Sequence, residues 1–310
     1  MPMDNQTTVT EFHILAFAIQ AEKKTLLFFV FFFIYMTGVI GNLTIILLVS
    51  MVTNLHTPMY IFLGNLSFID ICFTTVVLPK LMDILITGRN SISFRQCLTQ
   101  TYFTVFFSST EVVLLSFMAY DRYLAICNPL SYHVLMNNEK CVIISISLWT
   151  IGCVNSFILT GFASELPFCK STTLQQLYCD IKALENISCD NTILNSIITV
   201  EAILLVIFPF FLSLISYIKI IISILKMASR DSKRKAFSTC TSHLTVLLIF
   251  YGTISCVHMG SPSEQTRQTD QMFSVLYTAV TPMLNPLIYS LRNKEVHKAL
   301  MSILHVKGTI

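Results

Sequence analysis

Seven long apolar runs, separated by short polar segments, set the pattern of this chain. They cover about Leu26–Ser50, Pro58–Ile86, Gln96–Tyr120, Cys141–Ser164, Thr192–Ile224, Phe237–Met259 and Met272–Leu291. An α-helix needs roughly 20 apolar residues to cross a hydrocarbon layer of ~30 Å. Backbone groups in lipid find no water, so runs of this kind must be helices. Beyond the seventh run, Asn293–Leu304 places Val296, Ala299, Leu300, Ile303 and Leu304 on one side, the pattern of an amphipathic helix lying on a membrane surface. The expected fold is an all-α membrane protein, a seven-transmembrane helix bundle with a short amphipathic helix after helix seven. It divides into an N-terminal tail (1–25), the spanning domain (26–292) and a C-terminal helix and tail (293–310).

Composition agrees. Of 310 residues, 54% are hydrophobic and only 12% charged, about half the charged share of an ordinary soluble domain. The net charge of +3 is too small to suggest a nucleic-acid partner. The lipid bilayer is the first partner implied. Lys and Arg are densest on one side of the membrane, at Lys226, Arg230 and Lys233-Arg234-Lys235, which puts the N-terminus outside and the C-terminus in the cytoplasm. The sequons at Asn5 and Asn186 fall on the outer side, where glycosylation occurs. The first 24 residues hold no cleavable signal, so the first helix is expected to act as its own address.

The ten cysteines form no CxxC pairs, so no structural metal is expected. Cys97, Cys169, Cys179 and Cys189 lie outside, where four cysteines allow three pairings.

Charges inside spanning helices are functional candidates by default. The central ones are Asp70, Glu111 and Glu201. Glu111 precedes Arg122 by about three helical turns, so the two share a face that Thr104 and Ser108 extend outward. Asp121-Arg122 falls where the third run ends and is expected to meet water there, either as a snorkelling interfacial arginine or as a charge that can pair with Asp121 or be offered to a partner. Glu201 lies about two turns into the fifth helix, at the depth of His258 on the sixth. It either pairs with His258 or selects ligands carrying a hydrogen-bond donor.

Several words along the chain resemble the olfactory (odorant) receptors, a branch of the rhodopsin-like G-protein-coupled receptors. They are Met118-Ala119-Tyr120-Asp121-Arg122-Tyr123-Leu124-Ala125-Ile126-Cys127, Leu55-His56-Thr57-Pro58-Met59-Tyr60, Lys235-Ala236-Phe237-Ser238-Thr239-Cys240, and Pro282-Met283-Leu284-Asn285-Pro286-Leu287-Ile288-Tyr289. The resemblance runs from about residue 20 to 300, in family order.

The resemblance implies Cys97–Cys179 and Cys169–Cys189 disulfides, and Asp70 facing Asn285 with Glu111 beside them. Two close carboxylates in a low-dielectric site cannot both stay charged cheaply, so a sodium ion or a shared proton is expected there. It further implies an activation switch of Asp121, Arg122, Tyr123, Tyr217, Asn285, Pro286 and Tyr289. The implied ligand contacts are Thr104, Val105, Ser108, Ser109, Asn155, Ala202, Leu205, Tyr251, Ile254, Ser255 and Thr278, joined by Glu201 and His258. The implied partners are a small volatile odorant and a stimulatory, olfactory-type heterotrimeric G protein that raises cAMP. No nucleophile–base set is present, so no enzyme activity is expected. The rival readings are a chemosensory receptor outside the nose, or a transporter or channel; the chain shows no internal repeat of the kind transporters use.

Overall fold

The computed structural model describes residues 9–16, 21–259 and 264–306; side chains of some helical residues, His258 among them, lie outside the description. Helices α1 (Ala21–Met51), α2 (Pro58–Thr87), α3 (Phe94–Cys127) and α5 (Asn138–Ser164) are the first four spans, with a short helix α4 (Pro129–Leu135) between the third and fourth. The fifth span joins α7 (Thr192–Glu201) to α8 (Phe208–Lys226). The sixth is α9 (Arg230–Met259), and the seventh joins α10 (Glu264–Val275) to α11 (Thr281–Arg292). A further helix, α6 (Ile181–Ile187), lies in the loop before α7, and α12 (Lys294–Val306) follows the seventh span.

Among the described residues, five helices are long and apolar enough to cross a membrane unbroken. The sixth span contributes a shorter apolar core, Cys240–Cys256, because its first turns carry the basic run. The seventh is divided at Leu276–Val280.

Two of the prolines are met by a local widening of the helix. Pro209 and Pro282 each follow a π-helical stretch, Ala202–Ile207 and Leu276–Val280. A proline cannot donate to the i−4 carbonyl and clashes with it. A widened turn just ahead of the ring takes up that misfit, so both spans continue instead of ending. Pro79 and Pro286 stay inside their helices.

The spans meet along two polar seams. Asn42 donates to the Pro282 carbonyl at 3.0 Å, tying the first span to the seventh. Trp149 donates to Asn65 at 2.9 Å, tying the fourth to the second. Close helix approach needs small residues. A Cβ on Gly41 would stand 2.9 Å from the Pro286 ring, and one on Gly152 would collide with Thr110.

At the disulfide end the tail is more ordered than a plain extension. Strand β1 (Glu11–Ile14) pairs antiparallel with β2 (Ser91–Ser93) and parallel with β3 (Thr173–Leu174). Phe12 and Ile14 are fully buried in a cluster with Cys97, Cys179 and Leu184. At the opposite end, Asn293 caps α12 by accepting from the Glu295 amide at 3.0 Å, and Val296 and Ala299 pack into the main core.

Candidate functional site

The disulfide end encloses a cavity of about 280 Å³. Helix α3 forms one wall with Thr104, Val105, Ser108, Ser109 and Val112, and the fifth span the other with Ile198, Glu201, Leu205 and Val206. Phe73, Leu159, Ile254 and Tyr277 close it from the second, fourth, sixth and seventh spans. The roof is the loop: Tyr178 together with Asp180, Ile181, Lys182 and Glu185 at the start of α6. The Cys97–Cys179 bridge, with Cα atoms 5.3 Å apart, fixes that roof to the first turn of α3. The Cys179 amide also donates to Gln100 Oε1 at 2.9 Å. The second bridge, Cys169–Cys189, closes the smaller ring.

The walls are mostly apolar, with hydroxyls along α3 and one carboxylate at membrane depth. Asn155 reaches across from the fourth span, donating to Ser109 at 2.9 Å and to Glu201 at 3.4 Å. At the roof, burial raises the Glu185 carboxyl above its ordinary range, Lys182 pulls it back down, and Asp180 adds to the rise.

Seven of the ligand contacts implied by the sequence line this cavity: Thr104, Val105, Ser108, Ser109, Glu201, Leu205 and Ile254. Asn155 supports the wall from behind. Ala202 does not line it, being carried past by the π turn it opens. Thr278 is buried and donates to the Ser274 carbonyl at 2.7 Å. Tyr251 does not line this cavity; it lies deeper, with its hydroxyl 3.1 Å from Ser116. Ser255 is exposed on the outer side of α9. The expected partner of Glu201, the His258 side chain, lies outside the described residues, as does Asn5; Asn186 is exposed on α6. The roof residues of α6 were missed in the sequence, although their place directly after Cys179 was a signal that a bridge to Cys97 would bring them over the bundle.

Midway down the bundle, Asn285 Nδ2 donates to both carboxylate oxygens of Asp70, at 3.3 and 3.0 Å. Glu111 lies within electrostatic range of Asp70. Asp70, Glu111 and Asn285 are each exposed by 2% or less.

One expectation is corrected at the far end. Asp121 and Arg122 do not sit at a water-facing helix end. Helix α3 continues to Cys127, Asp121 is fully buried, and the Arg122 side chain is 12% exposed. The apolar run ended at the charges because a hydropathy pattern treats each charge alone, whereas here each neutralises the other. Arg122 Nε and Nη2 both donate to Asp121 Oδ2, and Tyr132 donates to Oδ1 at 2.8 Å. Tyr217 and Tyr289 lie within electrostatic range of Arg122. Tyr217 also meets His243 Nδ1 at 2.9 Å, linking the fifth and sixth spans. Lys219 stands 5.2 Å above the Tyr123 ring.

A roofed cavity at one end, a buried carboxylate cluster in the middle and a caged arginine at the other define a seven-helix membrane receptor of the rhodopsin type. Squid rhodopsin superposes with a TM-score of 0.73 at 18% identity, over 96% of this chain and 91% of its own. The olfactory receptor family model matches residues 31–307. Olfactory receptor 10A7 of Homo sapiens is 44% identical over 96% of this chain and 95% of its own length. Olfactory receptor 1496 of Rattus norvegicus is 42% identical over 97% and 98%. The chain belongs to the olfactory receptor family: it is a multi-pass odorant receptor, not an enzyme, and odorant and G protein are its partners in general terms.

Proposed function

We propose that the roofed cavity is the odorant site and that its occupation frees Arg122 for a stimulatory, olfactory-type G protein, raising cAMP. The observation that carries this is the pairing of a mostly apolar cavity with hydroxyls along α3 and a caged arginine on the same helix. A small volatile fits walls of that chemistry. It shifts the receptor only by binding the open arrangement better than the caged one. The N-terminus and sequon Asn186 face the outside in this reading, and the basic run at Arg230–Lys235 faces the cytoplasm. The Asp70–Glu111–Asn285 cluster suits a sodium ion or a shared proton, since two carboxylates this deeply buried call for a compensating positive charge. Asp70 and Glu111 would hold the ion, and its charge would offset theirs.

The test is a volatile library screened on cells expressing the chain with a cAMP reporter. Arg122→Ala should abolish the response while surface staining persists. A mutant that signals normally would remove Arg122 from the switch.

A further inference from the structure

A second cavity, of about 300 Å³, opens on the lipid-facing side between the fifth and sixth spans. It shares no lining residue with the odorant cavity. Leu214, Leu247 and Leu248 make its apolar walls, and Leu248 is 67% exposed at its mouth. No heavy atom outside the neighbouring backbone lies within 4 Å of where a Cβ on Gly252 would stand, which leaves the sixth-span wall open. The inner side is polar: Ser213 donates to Ser116 at 3.1 Å, and Ser116 meets Tyr251 at 3.1 Å and donates to the Pro209 carbonyl at 3.0 Å. Tyr217, with its contact to His243, forms the end nearer Arg122.

We infer that this cavity is a second ligand site, entered from the bilayer, for a neutral lipophilic alcohol, and that its occupant opposes activation. Three features carry this. The lining residues bear no charge, and the mouth faces hydrocarbon, so only a membrane-dissolved neutral molecule reaches it. Ser213 and Tyr251 offer a hydroxyl group hydrogen-bond partners at the inner side, and the leucines take an alkyl chain. The same tyrosines that line it join α9 to α3 and to α8, in the arrangement where Asp121 holds Arg122. A molecule that fills a gap present in this arrangement favours it over one in which α8 and α9 separate.

The probe is decanol carrying a diazirine on its chain, photolysed with the full-length receptor in lipid nanodiscs and mapped by mass spectrometry. Label should concentrate on Leu214–Tyr217 and Leu244–Leu248, and excess unlabelled decanol should compete it away. Leu248→Trp and Leu214→Trp, which fill the mouth from either helix, should each cut that label about tenfold while surface expression and odorant response persist. In cells, decanol should raise the half-maximal odorant concentration about fivefold for the unmodified receptor, within the usual range of allosteric coupling, and leave both tryptophan variants unmoved. Label spread evenly over all lipid-facing helices, label on the α3 wall of the odorant cavity, or label that neither tryptophan reduces would overturn the proposal. The labelling arm needs no agonist, so it stands or falls separately from the reading of the odorant site.

Discussion

Among the described glycines, Gly152 is the one where an added Cβ meets the closest contact, so Gly152→Ala is a strong steric perturbation. A Cβ at this position would meet Thr110 Oγ1 and stand 2.9 Å from the Phe106 carbonyl oxygen. Neither neighbour yields easily. Thr110 Oγ1 is bonded to that same carbonyl at 2.8 Å, and the carbonyl belongs to the backbone of α3. The fourth span must therefore move away from the third. Overpacking of this kind costs ~1–3 kcal/mol, while alanine gains about 0.8–1.0 kcal/mol over glycine in a helix interior. Backbone contact argues for the upper part of the overpacking range, so the net loss is roughly 1–2 kcal/mol. Gly161 lies on the same helix with nothing within 4 Å of its would-be Cβ, so Gly161→Ala keeps the helix gain alone. The two variants should differ by roughly 2–3 kcal/mol. The single tryptophan, Trp149, sits one turn from Gly152 and bonds across to Asn65, so its fluorescence reports melting of the purified receptor at this seam. Gly152→Ala should melt several degrees below the parent and Gly161→Ala at or above it. Displacing α5 also pulls Asn155 from Ser109 and Glu201, so odorant potency should fall with stability. A Gly152→Ala receptor that melts with the parent, or a Gly161→Ala receptor that loses as much, would refute the reasoning.

Cys97→Ser should abolish surface delivery, since a native disulfide is typically worth ~2–5 kcal/mol; Cys169→Ser should cost less, because its ring spans 20 residues against 82, and equal surface staining of the two would sink that ranking. Glu201→Gln keeps the shape of the cavity wall and removes its charge. If ligand meets this carboxylate, amines and alcohols should lose roughly ten- to hundredfold in potency, as a charge-assisted hydrogen bond is worth about 1.5–3 kcal/mol, while ketones and hydrocarbons hold theirs; a uniform loss across agonists leaves Glu201 a structural role. Glu185 has its carboxyl raised by burial, so its contribution to stability is full at low pH and is lost as pH rises through that raised value. Glu185→Gln, which keeps the oxygen that accepts from Asn191, should therefore match the parent's melting temperature in acid and exceed it at neutral pH, and a constant gap between the two curves would rule this out.

The spans were legible because lipid imposes one simple demand, a long apolar run, and α2 follows its predicted bounds to within a residue. What escaped the sequence depends on partners distant in the chain. Strand β1 is four residues long, and its pairing with 91–93 and 173–174 has no local periodic signal. The π turns before Pro209 and Pro282 answer a proline two residues beyond each stretch, and composition cannot say whether a helix absorbs a proline or ends at it. Helix α3 was cut short at Asp121 because burial of an ion pair depends on its partners, here Tyr132 from a neighbouring helix. The α3 wall of the cavity was legible, since Thr104 and Ser108 share a face with Glu111. Its roof was not, because Asp180, Lys182 and Glu185 face inward only once the bridge at Cys179 has set the loop.

The order of groups along α3 constrains how the two ends of the receptor communicate. The α3 lining of the roofed cavity ends at Val112, and Arg122 lies ten residues further, about 15 Å along the axis at 1.5 Å per residue. A molecule held in that cavity would not reach the arginine. Between them stands Ser116, which holds the Pro209 carbonyl of the fifth span, Ser213 and the Tyr251 hydroxyl of the sixth. Tyr251 packs edge-on against Phe250, and Phe250 against Tyr277, which lines the roofed cavity. Pressure on Tyr277 thus reaches Tyr251 through two ring contacts, and a shift of Tyr251 strains a hydroxyl contact that joins α9 to α3. Tyr251→Phe removes the bond and keeps the rings. If the bond holds the resting arrangement, the variant should raise basal cAMP at unchanged surface expression. Basal signalling equal to the parent's would show that the bond holds nothing in check.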